Sequence, residues 1–240
     1  KVAKLVASVN DFEGTEDVPS VAAICVYPNF VKTVRELLTD ESVQVACVSG
    51  CFPASQSFIE VKIAETALAI AAGADEIDIV LNLGAFLAGD YSEAATEIEE
   101  QKATARDARL KVILETGALR EPEAIRRAAI LALFAGADFL KTSTGKEYPG
   151  ADLVAAYILC SVLREYHEKY GQLRGVKFSG GIRTPEDAVK YYCIVEAVLG
   201  KEWLTDYTQH TKSYQTLSHP HCLFHVRQVQ RISPSHPFRY

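Results

Sequence analysis

The sequence contains no methionine, not even an initiator, and one tryptophan, Trp203, in 240 residues. A chain without Met reads as one whose start is trimmed or whose methionines are replaced. Its core is built without the flexible thioether that fills irregular gaps elsewhere. No apolar run is long enough to span a bilayer and no secretory signal pattern opens the sequence, so no membrane partner is expected. Positive charge is not in excess either. The formal net charge is −6, which argues against nucleic acid as a partner. The six cysteines (Cys25, Cys47, Cys51, Cys160, Cys193 and Cys222) form no Cys-x-x-Cys pair. In a chain of this size that scatter reads as reduced thiols and a cytoplasmic location.

Hydrophobic residues make up 48% of the chain, enough to bury the core of one large α/β domain. Apolar spacing predicts a helix over 1–10, then strands over 21–27, 43–49, 76–83 and 110–116. Two further strands surround Lys141 and Lys177. Helices are expected between them, over 31–38, 58–72, 91–108, 122–134 and 151–170, and after Thr184. Strands alternating with helices imply right-handed βα units and a parallel sheet. Ala72-Gly73-Ala74-Asp75 recurs as Ala135-Gly136-Ala137-Asp138, each time between a helix end and a strand, which suits equivalent units around a barrel. The expected fold is a TIM (β/α)₈ barrel, with an open doubly wound sheet as the alternative. The first and last strands are not identifiable: one is expected to be missing at each end, with a weak closing candidate over 223–229. The barrel is assigned to 1–203 and a divergent segment carrying His, Ser and Gln to 204–240.

Two strands carry a residue that cores avoid. Lys141, in Asp138-Phe139-Leu140-Lys141-Thr142-Ser143-Thr144-Gly145-Lys146, and Lys177, in Gly175-Val176-Lys177-Phe178-Ser179-Gly180-Gly181, each place an ammonium in an apolar strand. Alternation along a strand puts Lys141 with Ser143 on one face, Lys177 with Ser179 on another, and Lys111 with Glu115 on a third. Asp78 shares a face with Glu76 and Asn82. A lysine attacks carbonyls only when neutral, and a neighbouring ammonium lowers its pKa. A nearby carboxylate can then shuttle protons. The bland alternative is a pair of lysines snorkelling or ion-paired to Glu115 and Asp78. Gly180-Gly181, ahead of a helix capped by Thr184 with Pro185 behind it, can present backbone amides to an anion or can be a plain tight turn.

At Lys141-Thr142-Ser143-Thr144-Gly145 and Lys177-Phe178-Ser179-Gly180-Gly181-Ile182-Arg183-Thr184 the chain resembles the deoxyribose-phosphate aldolase family. Ala23-Ile24-Cys25-Val26-Tyr27-Pro28, Ala74-Asp75-Glu76-Ile77-Asp78-Ile79-Val80 and Lys111-Val112-Ile113-Leu114-Glu115-Thr116-Gly117 extend the likeness, which runs from about residue 1 to Trp203. The resemblance implies a class I aldolase on a TIM barrel that needs no cofactor and no metal. Such an enzyme cleaves 2-deoxy-D-ribose 5-phosphate reversibly to glyceraldehyde 3-phosphate and acetaldehyde, in deoxyribonucleotide catabolism. It implies Lys141 as the Schiff-base lysine, Lys177 as the lysine that depresses its pKa, and Asp78 as the proton relay. Gly180 and Gly181 would form part of the phosphate site and Ser179 would bind substrate; Thr144 and Lys146 would line the pocket, and Cys25 matches a family cysteine near the substrate or is a small core residue. Family members are often dimeric, so a homodimer stays open.

The chain departs from the family in several places. Nothing before Val21 matches the acidic residue that the family's first strand carries near the pocket, and no Gly- and Ser-containing turn follows Trp203. The family's Phe-Pro-x-Gly loop reads Phe52-Pro53-Ala54-Ser55 after a one-residue insertion, and the surroundings of Tyr240 do not match the family's tyrosine tail. These departures keep two alternatives in view: an impaired barrel that binds or scaffolds, and an aldolase for an unphosphorylated substrate. The tail's His219, His221, Cys222 and His225 could ligate a metal but show no recognised spacing.

Overall fold

A computed structural model describes residues 1–12 and 20–204, and beyond them the backbone of two short strands at 209–210 and 214–215. The chain opens with α1 (Val2–Asn10) and then alternates: β1 (Ala23–Val26), α2 (Val31–Leu37), β2 (Gln44–Val48), α3 (Ile59–Ala71), β3 (Glu76–Val80), α4 (Leu83–Ala88) and α5 (Tyr91–Ala105). There follow β4 (Arg109–Ile113), α6 (Thr116–Leu119), α7 (Pro122–Phe134), β5 (Phe139–Lys141), α8 (Leu153–Tyr170), β6 (Gly175–Lys177), α9 (Pro185–Leu199), β7 (Gln209–His210) and β8 (Tyr214–Gln215).

Every strand pairing is parallel, and the sheet order is β7-β6-β5-β4-β3-β2-β1-β8. With β8 beside β1, that is the cyclic order of the expected TIM barrel. The expectation of one missing strand at each end is corrected here. Both additional strands come from the segment after Trp203, and the first edge is covered by β8, paired Ile24 to Tyr214. Residues 223–229 lie outside the described residues.

Local chemistry places the elements. Asp152 caps α8 by accepting from the Ala155 N–H at 2.8 Å, and Gly171 ends that helix at φ 67°. Thr184 caps α9 by accepting from the Asp187 N–H, with Pro185 in the first turn. The repeated Ala-Gly-Ala-Asp is structural in both copies. Asp75 accepts the Val45 N–H at 2.8 Å and Asp138 the Leu110 N–H at 2.9 Å, each tying a strand's entrance to the strand before it. On the outer face Ile77, Ile79, Leu110, Val112, Leu140 and Val176 are buried in the main hydrophobic core with the helices. The inner face is different. Between them, its residues include five charged side chains and a small apolar cluster of Ala23, Cys25, Ala46 and Val48.

Candidate active site

The register sets the charged side chains on neighbouring strands at nearly one height. Lys141 is the Cα partner of Lys177, and Asp78 is the partner of Lys111. Residues two apart share a face, so Glu76 lies one layer below Asp78 on β3, and all of them point inward. Lys141 and Lys177 each donate to the same oxygen, Oδ2 of Asp78, both at 2.7 Å. Sharing one oxygen holds the two amines within a few ångströms of each other. From the level of Asp78, Lys111 sends its Nζ down to donate to Glu76 Oε2, and that atom stands 3.4 Å from Asp78 Oδ1. Arg109 reaches Glu76 Oε1 from the barrel's lower end at 3.2 Å. Glu76, Asp78, Lys111 and Lys141 are fully buried and Lys177 is 1% exposed.

Among the described residues this arrangement contains more cation than anion. Two carboxylates face three fully buried lysines and a half-buried arginine, and an unbalanced charge in a dry interior is resolved by neutralising the cheapest group. Of the two lysines on Asp78 Oδ2, Lys141 is the one whose pKa falls. Burial pulls its pKa below the ordinary lysine value; Asp78 opposes this and the Lys177 ammonium adds to it. Burial pulls on Lys177 as well, but Asp78 outweighs it and the net displacement is upward. Burial pushes Asp78 up, yet Lys141, Lys177 and Lys111 together hold its carboxyl well below the usual range. The outcome is an amine with a lowered pKa beside the Asp78–Lys177 ion pair. The sequence reading credited Lys177 with depressing Lys141; burial is the larger cause.

The other expected residues divide into three groups. Cys25 lies on the inner wall, buried, its thiol pushed up by burial against the pull of Lys177. Ser179 Oγ donates to the Ser143 carbonyl, and its N–H donates to Thr142 Oγ1 at 3.0 Å, so it ties the ends of β5 and β6 together. Gly180 and Gly181 both have φ of 85°. A Cβ on Gly180 would lie 2.8 Å from Gly150 Cα, so the loops after β5 and β6 touch backbone to backbone. Gly181 is exposed with open space around it, ahead of the α9 N-terminus. Thr144 is buried, its N–H and hydroxyl both donating to Glu115. Lys146 is exposed, its Nζ 5.8 Å from the centre of the Tyr27 ring across the mouth. Among the described residues no group of three or more His, Cys, Asp or Glu could hold a metal ion, and the histidines of the tail lie outside them. No described helix is long and apolar enough to cross a membrane.

The family model for DeoC/LacD family aldolases matches residues 3–197. The chain belongs to the DeoC/LacD aldolase family. A Caenorhabditis elegans protein provisionally named deoxyribose-phosphate aldolase is 37% identical over 190 residues, which is 78% of this chain and 63% of that protein. The chain therefore spans less than two thirds of the length of that relative. A crystal structure from Coccidioides immitis, given the same provisional name, has a TM-score of 0.71 at 33% identity, covering 80% of this chain and 71% of that one. The deoxyribose phosphate aldolase of Aeropyrum pernix, described as tetrameric, gives 0.62 at 28% identity over 88% and 78% of the two chains.

Three features of this DeoC/LacD chain escaped the sequence reading. The Glu76–Lys111 pair was visible as two charges at period two in apolar strands, and only the register shows that they meet. Glu115 was grouped with Lys111 by alternation, but β4 ends at Ile113, and Glu115 sits in the left-handed region at φ 55°, which turns its carboxylate to Thr144. Asn82 likewise leaves the Asp78 face, because β3 ends at Val80 and Asn82 becomes the cap of α4. Alternation fails wherever the strand has already stopped.

Proposed function

We propose that the chain is a class I aldolase that cleaves 2-deoxy-D-ribose 5-phosphate to glyceraldehyde 3-phosphate and acetaldehyde through an imine on Lys141. The observation that carries this reading is the single Asp78 oxygen shared by two buried amines whose pKa values move apart. Neutral Lys141 adds to the aldehyde carbon of the open-chain sugar, and loss of water from the carbinolamine gives a protonated imine. That cation accepts the electron pair released when the C2–C3 bond breaks, while the C3 hydroxyl loses its proton and leaves as glyceraldehyde 3-phosphate. The remaining enamine is protonated at C2, and water hydrolyses the imine to acetaldehyde and free Lys141.

Asp78 is the group placed to move protons, since it touches both amines. Lys177 stays charged and keeps Lys141 from recovering its own proton. The phosphate end is assigned to the Gly180-Gly181 turn with Ser179, where the open space at Gly181 and the α9 N-terminus favour an anion. Lys146 stands at the mouth as a further cation and Cys25 as part of the inner wall. A division at residue 203 belongs to the same proposal, with the segment after it supplying the two short flanking strands, as do a cytoplasmic setting and a role in deoxyribonucleotide breakdown.

The test is chemical trapping with mapping. Substrate and borohydride should leave a reduced adduct on the peptide carrying Lys141, and turnover of the 5-phosphate should exceed that of free deoxyribose. No adduct and no turnover above buffer would favour a binding or scaffolding barrel. Equal turnover of both sugars would remove the phosphate assignment alone.

A further inference from the structure

One fully buried lysine takes no part in the chemistry above. Lys62, on α3, is 0% exposed and lies outside the barrel interior. Its ammonium donates to Ser55 Oγ at 3.1 Å and to Glu97 Oε2 at 2.6 Å. The other Glu97 oxygen accepts from Asn82 Nδ2 at 3.0 Å, and Asn82 in turn caps α4 directly after β3. A buried ammonium persists only when its charge and its protons are satisfied, so these contacts fix three segments relative to one another.

Ser55 belongs to the loop between β2 and α3, which departs from its family's pattern in the sequence. Serine stands there at φ 57°, a left-handed conformation that glycine adopts without strain. Two more bonds hold the loop: the Cys51 N–H donates to Glu65 Oε2 at 2.8 Å and the Ser55 N–H to the Cys51 carbonyl at 3.0 Å. What the loop presents is Phe52. Its ring meets Tyr27 edge-on with centroids 5.9 Å apart, and both pack against Ala23, Cys25, Ala46 and Val48 on the inner wall. Tyr27 also receives Lys146 from the loop after β5, so this aromatic pair borders the mouth into which Lys141 faces.

We infer that Lys62 is a positioning residue for substrate binding: through Ser55 on one side and Glu97–Asn82 on the other, it locks the 51–57 loop so that Phe52 completes the apolar wall of the mouth. The serine hydroxyl, absent from a glycine, gives the ammonium its grip on the loop. The kinetic part of this inference rests on the aldolase reading; the mechanical part does not.

The experiment has two arms on the same full-length proteins. In hydrogen–deuterium exchange, Lys62→Met and Ser55→Ala should both speed exchange of the peptide holding Cys51 and Ser55, with the β3 to β6 peptides unchanged. In kinetics, Lys62→Met should raise KM for 2-deoxyribose 5-phosphate on the order of tenfold, the size of one lost charge-assisted hydrogen bond. It should leave the maximal yield of the Lys141 adduct with saturating acetaldehyde near wild type. Phe52→Ala combined with Lys62→Met should be no worse than Phe52→Ala alone, because one acts through the other. Ser55→Ala leaves the Lys62–Glu97 pair in place, so it tests the grip on the loop if Lys62→Met folds poorly. Unchanged loop exchange in both variants would overturn the lock, and multiplying effects of Lys62→Met and Phe52→Ala would overturn the route through Phe52. Absence of adduct and turnover in the wild type would instead sink the aldolase reading, with the exchange arm still deciding the lock.

Discussion

The two ionic layers inside the barrel are built from the same residue types and do different things. In the lower layer Glu76 faces Lys111 and Arg109, and each carboxylate oxygen has its own cation. In the upper layer Asp78 puts one oxygen between Lys141 and Lys177, while its other oxygen accepts no hydrogen bond and faces Lys111 at 3.4 Å. The lower layer is a satisfied ion pair whose worth is structural. In the upper layer burial lowers the pKa of Lys141, and the Lys177 ammonium on the same Asp78 oxygen adds to that.

The largest expected effect separates chemistry from stability at one residue. Lys141→Met should abolish the borohydride adduct and lower turnover by roughly 10⁴-fold or more. The same variant removes the surplus cation, so its Tm at neutral pH should rise. A charged lysine whose folded pKa lies below its unfolded value costs stability at low pH, and the cost disappears as pH climbs from the folded value towards the ordinary one. A fall in Tm would mean that Lys141 is a structural ion-pair partner and the layers do not differ.

Next in size is Asp78→Asn, which strands two ammonium groups in the interior. Calorimetry or urea titration should show a loss of about 3–5 kcal/mol, the usual cost of breaking a buried pair from one side. Because Asp78 has a depressed pKa, its stabilisation is whole above the ordinary carboxylate value and fails as pH falls through the lower, folded one. Lys111→Met should cost less, about 2–3 kcal/mol, since Arg109 still serves Glu76. It should leave the pH midpoint of acetaldehyde trapping where it is. A midpoint that moved with Lys111→Met would merge the layers into one network. The smallest effect belongs to Lys177→Leu, which should move that midpoint upward by about one unit, because burial of Lys141 persists and only the neighbouring charge is lost.

Much of this was legible in the sequence. Outer-face residues such as Ile77, Ile79, Val112 and Leu140 gave the strands their apolar signal, and Pro185 behind Thr184 marked the start of α9. Lys141 and Lys177 stood out because an ammonium in an apolar strand has few inexpensive explanations. Their meeting on one oxygen was not legible, because register between strands 36 residues apart in sequence is a tertiary property. Nor was the engagement of Thr144 by Glu115, which depends on a left-handed backbone at a residue that does not ordinarily adopt one. Lys62 read as one polar position in a helix pattern; its burial comes from Glu97 and Ser55 arriving from other segments. The strands that flank the six central ones were too short to carry a period, two residues each.

The central claim is that burial beside the Lys177 ammonium lowers the pKa of Lys141, while Lys177 on the same Asp78 oxygen is displaced upward. A pH series of borohydride trapping with acetaldehyde, read by peptide mapping, tests it most directly. The adduct should sit on Lys141 alone, with a midpoint below the ordinary lysine value of 10.5. An adduct on Lys177 or Lys111, or one on Lys141 that forms only at the pH where free lysine reacts, would contradict it.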